Sequence, residues 1–311
     1  MQNAISHKFT MLNLVRILTP LCLCLMAGNA RAGHELLLVT GLPGQAAFGS
    51  EMEATAKVWT DAAKRGGHSI QEISAGSGPQ LPRLQAALGA VSADTPDPLW
   101  LVLLGHGSAQ GKSPRFNLEG PDLSAENLAL SLARLRRPVI VVAGFSCSGA
   151  FLKPLAAPGR IILTATRTGA EENWTRFPRF FAAALAGLGA DGNGDMQVSV
   201  FEAWQHATQT AEASYKDQGR LTTEHAALDD LGDGKAGGPG LGMKAAQWHL
   251  VESAAEAGLT PVQRTRREAL ELELSQLRQG KDKKAPAEYA GMLERLLLKL
   301  GRVYAGQSES D

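Results

Sequence analysis

Residues 138–149, PVIVVAGFSCSG, decide the fold of this 311-residue chain, because a run of buried-type residues changes abruptly into small and polar ones. Residues 99–107, LWLVLLGHG, show the same change upstream. Short aliphatic runs of this kind are typical of strands buried on both faces. In a parallel sheet both of the following turns open at the carboxyl edge, where such folds place their chemistry. The sequence therefore predicts one sheet edge that carries the imidazole of His106 and the thiol of Cys147.

Further strands and helices alternate on either side of these two runs. The pattern predicts strands at 34–40, 69–73 and 160–166, and helices at 50–65, from 81, at 124–135, at 177–188 and at 201–215. Strands that alternate with helices are typical of an α/β sandwich with a mostly parallel sheet. We therefore expect residues 33–234 to form one α/β domain.

The C-terminal part differs in composition. Residues 235–260 begin with a Gly- and Pro-rich stretch and are predicted to be a linker. Leucines recur at helical spacing in 261–279 and 287–304, which predicts a helical hairpin over 261–305. The hairpin is interpreted either as a lid packed on the parent domain or as an arm that docks a protein partner or a second copy.

Residues 1–32 have the pattern of a secretory signal peptide. Lys8 and Arg16 precede a short apolar run, and residues 30–32, Ala-Arg-Ala, form a cleavage site, so we expect cleavage near Ala32. The run is too short to span a membrane. The mature protein is thus expected in the periplasm or outside the cell, with Cys147 as its only cysteine. A lone thiol in an oxidising compartment is either inert through burial or kept for its reactivity.

Charge excludes some partner classes. The chain has 31 basic and 31 acidic residues, so nothing in it predicts binding to nucleic acid or to an anionic membrane surface.

Residues 191–202, DGNGDMQVSVFE, match the pattern of an EF-hand calcium loop. The expected ligands are oxygens of six residues: Asp191, Asn193, Asp195, Gln197 through its backbone carbonyl, Ser199 and Glu202. Met196 stands where the pattern has glycine, at a position that usually needs a positive φ. We expect either a structural Ca²⁺ site or an acidic turn between two helices. A second acidic stretch at 229–234, DDLGDG, is either a solvated loop or a further source of carboxylates.

Three short motifs resemble the caspase and legumain clan of cysteine peptidases. They are 101–108, LVLLGHGS; 116–124, FNLEGPDLS; and the Cys147-Ser148-Gly149 turn. The nearest resemblance is to bacterial legumain-like or caspase-like exported proteins. It implies a caspase-like three-layer sandwich and an exported cysteine endopeptidase, which forms an acyl-enzyme and needs no cofactor for catalysis.

The resemblance also implies roles for individual residues. Cys147 is the nucleophile, His106 moves the proton, and the backbone N–H groups of Gly107 and Cys147 form the oxyanion hole. The register has two solutions: a caspase-like Cys-x-Gly pattern selects Cys147, whereas alignment on Ser148-Gly149 selects Ser146. The basic residue with which caspases select acidic substrates has no counterpart in 39–48, so no substrate preference carries over.

Two other functions stay open at this point. One is a catalytically weak or inactive binding module that is stabilised by calcium. The other is a hydrolase whose nucleophile is Ser146 or Ser148.

Overall fold

The structure, a computed structural model, describes residues 34–109, 113–238 and 240–306. The predicted signal peptide lies outside the described residues. The strands are β1 (Glu35–Thr40), β2 (Ser69–Ser74), β3 (Leu99–Leu104), β4 (Gly107–Ser108), β5 (Arg115–Phe116), β6 (Leu123–Ser124), β7 (Val139–Gly144), β8 (Arg160–Thr164) and β9 (Ala227–Asp229). The α-helices are α1 (Ala46–Arg65), α2 (Gln80–Ala90), α3 (Ala125–Leu132), α4 (Gly149–Leu155), α5 (Phe177–Ala186), α6 (Val200–Asp217), α7 (Ala254–Ala257), α8 (Pro261–Gln279) and α9 (Pro286–Tyr304).

A six-stranded sheet in the order β2-β1-β3-β7-β8-β9 forms the middle layer. All neighbouring strands are parallel except β9, which runs antiparallel to β8. Every residue of β3 and β7 is buried, as expected for central strands covered on both faces. Helices α1, α5 and α6 contribute to the core on one face, and α2, α3 and α4 contribute to the core on the other. The predicted α/β sandwich with a mostly parallel sheet is confirmed.

Two elements near the candidate site were not expected. Strands β4, β5 and β6 form a small antiparallel sheet between the histidine turn and α3. Helix α4 starts directly at the cysteine turn and has seven residues. Elements this short show no hydrophobic periodicity, so their sequences carry no signal of them.

The segment predicted to be a linker packs against the α/β domain. Ala245 and Leu250 are buried in the core, and residue 249 forms an isolated bridge with Ser199. The backbone of Gly66 approaches so closely that a Cβ there would lie 2.0 Å from the carbonyl oxygen of Leu250. Composition predicted a linker because the segment starts with glycines. Its few apolar residues are nevertheless enough to hold it on the domain.

The C-terminal hairpin is present, with α8 and α9 packed around their own apolar cluster. Buried Arg267 of α8 bonds both Glu256, just before the hairpin, and Glu271. No helix within the described residues is long and apolar enough to cross a membrane.

Candidate active site

The two strand-end turns meet at the carboxyl edge of the sheet. Strands β3 and β7 are neighbours and end in register, with Leu104 opposite Gly144. The turns that follow are in direct contact, because a Cβ at Gly107 would lie 2.0 Å from the carbonyl oxygen of Ser146. Glycine at position 107 therefore permits the approach that brings His106 beside the second turn.

Ser146 is the residue of that turn that faces the imidazole. Its Oγ lies 2.9 Å from Nδ1 of His106. The same oxygen accepts a hydrogen bond of 3.0 Å from the N–H of Gly107 and lies 2.9 Å from the carbonyl oxygen of Gly107. A hydroxyl has one hydrogen, so it donates either to the imidazole or to the carbonyl, depending on the histidine tautomer. The geometry is that of a nucleophile–base pair.

Cys147, the nucleophile predicted from the sequence, makes no hydrogen bond to His106 in the described part of the chain. Its side chain is buried, as is that of Ser146, and Sγ lies 4.0 Å from the carbonyl oxygen of Gly107. Burial, with smaller contributions from the charges of Glu172 and then Glu171, raises the pKa of the Cys147 thiol to about 11. A thiol with a raised pKa is protonated at neutral pH, whereas nucleophilic cysteines have lowered pKa values. The role of Cys147 thus stays a prediction, and this arrangement does not favour it.

The predicted oxyanion hole is also arranged differently. The N–H of Cys147 donates to the carbonyl oxygen of Glu171 at 2.8 Å, so it is not directed at a substrate. The N–H of Gly107 does lie at the site, where it donates to Ser146 Oγ. Of the two expected donors, only Gly107 is thus adjacent to the reacting groups in this structure.

Burial lowers the pKa of His106, and the charge of Glu172 opposes this shift. The imidazole is therefore neutral at neutral pH, which is the form that accepts a proton from a hydroxyl. Within the described residues no carboxylate hydrogen-bonds to His106. The main chain at His106 is held by two hydrogen bonds, because its N–H donates to the carbonyl oxygen of Leu42 and its carbonyl oxygen accepts the N–H of Asn117. The imidazole lies so close to Gly44 that a Cβ there would be 3.3 Å from the ring.

Ser148, the other serine of the turn, has a structural role. It is fully buried, its Oγ lies 3.2 Å from Oγ1 of Thr166 and it accepts the N–H of Thr166 at 3.1 Å. The turn is thereby attached to the loop that follows β8. Ser148 does not face His106, so Ser146 is the serine on which a serine mechanism would depend.

Two adjoining cavities extend from this edge. The first is lined by Gly105 and Gly144, which precede the two turns, has a volume of only about 10 Å³, and shares Glu51, Trp174 and Arg179 with the second. The second, which we call the arginine cavity, measures about 320 Å³ and is lined by these residues together with Phe48, Asn173, Arg176, Tyr215, Gln218, Arg220 and Thr223. A basic pocket thus lies near the ends of β3 and β7, although neither His106 nor Ser146 lines it.

Most polar groups of the arginine cavity are hydrogen-bond donors. Arg176 donates to the Ser214 carbonyl at 3.1 Å and lies over the ring of Tyr215. Arg179 pairs with Glu51 at 3.4 Å. Buried Nε of Arg179 and buried Nε1 of Trp174 have no hydrogen-bond partner among the described residues. The cavity thus presents positive charge and unsatisfied donors, which suits an anionic group.

Two carboxylates organise the backbone of the predicted calcium loop. Asp191 accepts the N–H groups of Gly194 at 2.7 Å and Met196 at 3.0 Å. Met196 adopts φ 68°, the conformation that the pattern assigns to glycine. Glu202 accepts the N–H groups of Gly192 at 3.1 Å and Ser199 at 2.9 Å, the second within a capping box of α6.

Among the described residues, no group of three or more His, Cys, Asp or Glu side chains is arranged to hold a metal ion. This finding includes Asp191, Asp195 and Glu202, the three carboxylates of the predicted ligand set. Calcium binding at 191–202 therefore stays a prediction.

The buried carboxylates of the second acidic stretch accept hydrogen bonds from nearby backbone N–H groups. Asp229 accepts the N–H groups of residues 231, 232 and 234, and Asp230 accepts those of residues 242, 244 and 245. Both side chains are almost fully buried. These bonds account for both residues as organisers of the loop that leads into the 235–260 segment.

Sequence reasoning did not single out Trp174, Arg179 or Glu171. They lie in or after the loop that follows β8, which has no periodicity and no recognisable spacing. Only the position of this loop after a parallel strand could have indicated these residues, because such loops open at the same sheet edge as the two turns.

No family model matches the sequence, and no curated protein is significantly similar to it. Solved structures with a similar fold include the Drosophila initiator caspase Dronc, at 10% identity and a TM-score of 0.46, over 67% of this chain and 83% of that chain. Protein GSU0716 from Geobacter sulfurreducens is similar at 11% identity and a TM-score of 0.44, over 68% and 96%. Caspase-1 from Spodoptera frugiperda is similar at 12% identity and a TM-score of 0.43, over 64% and 87%.

These similarities concern the fold, and at such scores we draw no functional argument from them. Two of the three are caspases, whereas the bacterial legumain-like assignment made from the motifs stays a prediction.

Proposed function

We propose that this chain is an exported hydrolase that cleaves peptide bonds by nucleophilic catalysis, with Ser146 as the nucleophile and His106 as the general base. The observation that carries the proposal is the 2.9 Å contact between Ser146 Oγ and His106 Nδ1 at the carboxyl edge of the sheet. A peptide substrate is supported by the motifs that resemble the caspase and legumain clan.

The proposed reaction proceeds through an acyl-enzyme. His106 accepts the hydroxyl proton while Ser146 Oγ attacks the carbonyl carbon, and the C=O π electrons move onto oxygen. The N–H of Gly107 stabilises that negative charge once it exchanges Ser146 Oγ for the oxyanion as its acceptor. The imidazolium donates its proton to the leaving amine as the C–N bond breaks. A water molecule, deprotonated by His106, attacks the ester carbonyl. The bond from the acyl carbon to Ser146 Oγ then breaks, and the imidazolium returns its proton to that oxygen.

The cysteine version of this proposal uses the same edge but a different conformation. Cys147 Sγ would have to leave its buried position and lose the thiol proton, although burial raises its pKa to about 11. The inactive binding module is the third candidate, and the engagement of the Cys147 N–H with Glu171 supports it.

Paired alanine variants at Ser146 and Cys147, assayed on a fluorogenic peptide library, distinguish the three candidates. Loss of turnover in Ser146→Ala with retention in Cys147→Ala supports the serine mechanism, and the opposite result supports the cysteine mechanism. Absence of turnover in the wild-type protein, with or without calcium, supports the binding module.

We also propose that the arginine cavity binds a carboxylate of the substrate. Arg220 is the residue to change, because it is exposed, lies 5.9 Å from the Tyr215 ring centre and makes no ion pair within the described part of the chain. We expect Arg220→Gln to lower kcat/KM for acidic peptides by about fivefold, since an ion pair of an exposed side chain contributes up to about 1 kcal/mol. The same peptides with Gln in place of Glu should be affected less than about twofold.

Arg302→Gln is the matched control, because Arg302 is exposed on α9 in the C-terminal hairpin. If Arg220→Gln lowers kcat/KM equally for acidic and neutral peptides, the cavity does not discriminate between them by charge.

Calcium at 191–202 is proposed as a structural ligand. A ligand that binds only the native state stabilises it by about 2.7 kcal/mol at a concentration of 100 times its Kd. Removal of calcium with EGTA is then expected to lower the melting temperature by about 5 °C or more for a domain of this size. Calorimetry with and without EGTA, at matched ionic strength, measures this.

Asp195→Asn should abolish the EGTA effect, because Asp195 is one of the predicted ligands. Asp233→Asn, in the second acidic stretch, should leave it intact. A melting temperature that EGTA does not change in the wild-type protein would remove calcium from the proposal.

Export to the periplasm or the medium, after cleavage near Ala32, is part of the same proposal and rests on the sequence pattern alone. Docking of a protein partner by the C-terminal hairpin also stays a prediction. Leu297 and Leu298 of α9 are partly exposed, which is compatible with it.

A further inference from the structure

We propose that Glu171 is a positioning residue, whose carboxylate and backbone carbonyl together hold the Ser146–Cys147 turn in the conformation that points Ser146 at His106. The kinetic part of this inference rests on the proposed function, whereas the structural part does not.

The turn needs to be held because its backbone is strained. Cys147 has φ 63°, a conformation that costs a residue with a side chain of the order of 1 kcal/mol or more. Such a conformation persists only where the surroundings impose it. The hydrogen bond of 2.8 Å from the Cys147 N–H to the carbonyl oxygen of Glu171 is the contact that fixes the backbone at this position.

The side chain of Glu171 fixes the position of that carbonyl. Oε1 accepts hydrogen bonds from the N–H groups of Arg167 at 3.1 Å and Thr168 at 2.9 Å, and from the Thr168 hydroxyl at 3.2 Å. Oε2 accepts the N–H of His225 at 2.8 Å and lies 3.2 Å from His225 Nδ1. One carboxylate therefore joins the loop after β8 to the segment between α6 and β9.

The loop held by Glu171 lies directly on the turn. Thr166 Oγ1 accepts the N–H of Gly149 at 2.9 Å. A Cβ at Gly149 would lie 2.3 Å from the backbone nitrogen of Thr168, so the two segments touch backbone to backbone. A displacement of the loop is therefore transmitted to the turn rather than absorbed by side chains.

The structure also indicates what loss of Glu171 does. Without its carboxylate, the loop loses the acceptor shared by five donor contacts. The main-chain carbonyl of residue 171, which bonds to strained Cys147, is then no longer held in place. Cys147 then relaxes to a negative φ, which turns Ser146 away from His106 and exposes the buried thiol. The reactivity of Cys147 thus reports on the turn independently of catalysis.

The experiment compares Glu171→Ala with Glu212→Ala, an exposed glutamate of α6. In Glu171→Ala we expect kcat to fall by about 10²-fold with KM within about threefold, because a misplacement of about 1 Å costs a reaction this much. We also expect alkylation of Cys147 by iodoacetamide, located by mass spectrometry in the folded full-length chain, to become at least about tenfold faster. Glu212→Ala should change neither.

Glu171→Gln and His225→Ala keep the test decisive if Glu171→Ala does not fold. Glu171→Gln keeps Oε1 and loses the acceptor for His225, and His225→Ala removes only the ring contact. Both should therefore show smaller increases in alkylation, in that order. Alkylation rates in both that equal the wild-type rate would overturn the inference. Faster alkylation in a protein without hydrolytic activity would confirm the positioning role and reject the proposed function.

Discussion

Ser146→Ala is expected to lower kcat/KM for peptide hydrolysis by about 10³-fold or more, because the only nucleophile within hydrogen-bond distance of His106 in the described residues is removed. Cys147→Ala should keep kcat/KM within about threefold, since His106 forms its side-chain hydrogen bond with Ser146, whereas Sγ of Cys147 lies against the Gly107 carbonyl. Steady-state kinetics on the same peptide, with melting temperatures for both variants, make the comparison. The expected contrast is large enough to survive a moderate loss of stability in either variant.

The pH dependence gives an internal check on the same pair. His106 must be neutral to accept the serine proton, and burial lowers its pKa from the ordinary value of 6.5. The rate should therefore stay constant as the pH falls through 6.5 and decline only below it. A reaction that instead requires thiolate would rise with pH towards about 11, the pKa of the Cys147 thiol. Such a rise would contradict the serine mechanism.

Gly107→Ala is expected to have the second-largest effect. A Cβ at this position would lie 2.0 Å from the carbonyl oxygen of Ser146 and 2.8 Å from the ring of Phe145, so the two turns must separate. We expect a loss of about 3 kcal/mol in the free energy of unfolding, at the upper end of what overpacking costs. We also expect kcat to fall by at least about 10²-fold, because the Ser146–His106 contact is lost. Urea denaturation and steady-state kinetics measure the two effects.

Gly189→Ala is the matched control, because a Cβ at Gly189 would have no atom within 4 Å and its φ is not positive. Its stability and its kcat should match those of the wild-type protein. Wild-type turnover in Gly107→Ala would mean that the contact between the two turns does not matter for the reaction.

Much of the scaffold follows from the sequence alone. The runs that became β3 and β7 are continuously apolar, which is what a strand covered on both faces requires. The leucine spacing of α8 and α9 predicted the hairpin. Strands β4, β5 and β6 have two residues each, and pairing partners distant in sequence create such strands. No local pattern predicts them.

The calcium loop shows the same limit in a different way. The spacing of oxygen-bearing side chains predicted an EF-hand-type loop over 191–202, in which Met196 departs from the pattern. Whether Met196 nevertheless takes the positive φ depends on the hydrogen bonds that Asp191 makes to the loop backbone. The structure shows φ 68°, a value that no propensity of methionine indicates.

The sequence by itself determined that His106 and the turn around Cys147 lie at one edge of a parallel sheet, because strand periodicity and the direction of parallel strands require it. Only the tertiary structure decided which side chain of that turn faces the imidazole. Adjacent residues of a turn point in different directions, and the choice depends on the φ of Cys147, which the carbonyl of Glu171 imposes from a distant loop. Both side chains are buried, and it is the hydroxyl of Ser146 that lies within hydrogen-bond distance of His106.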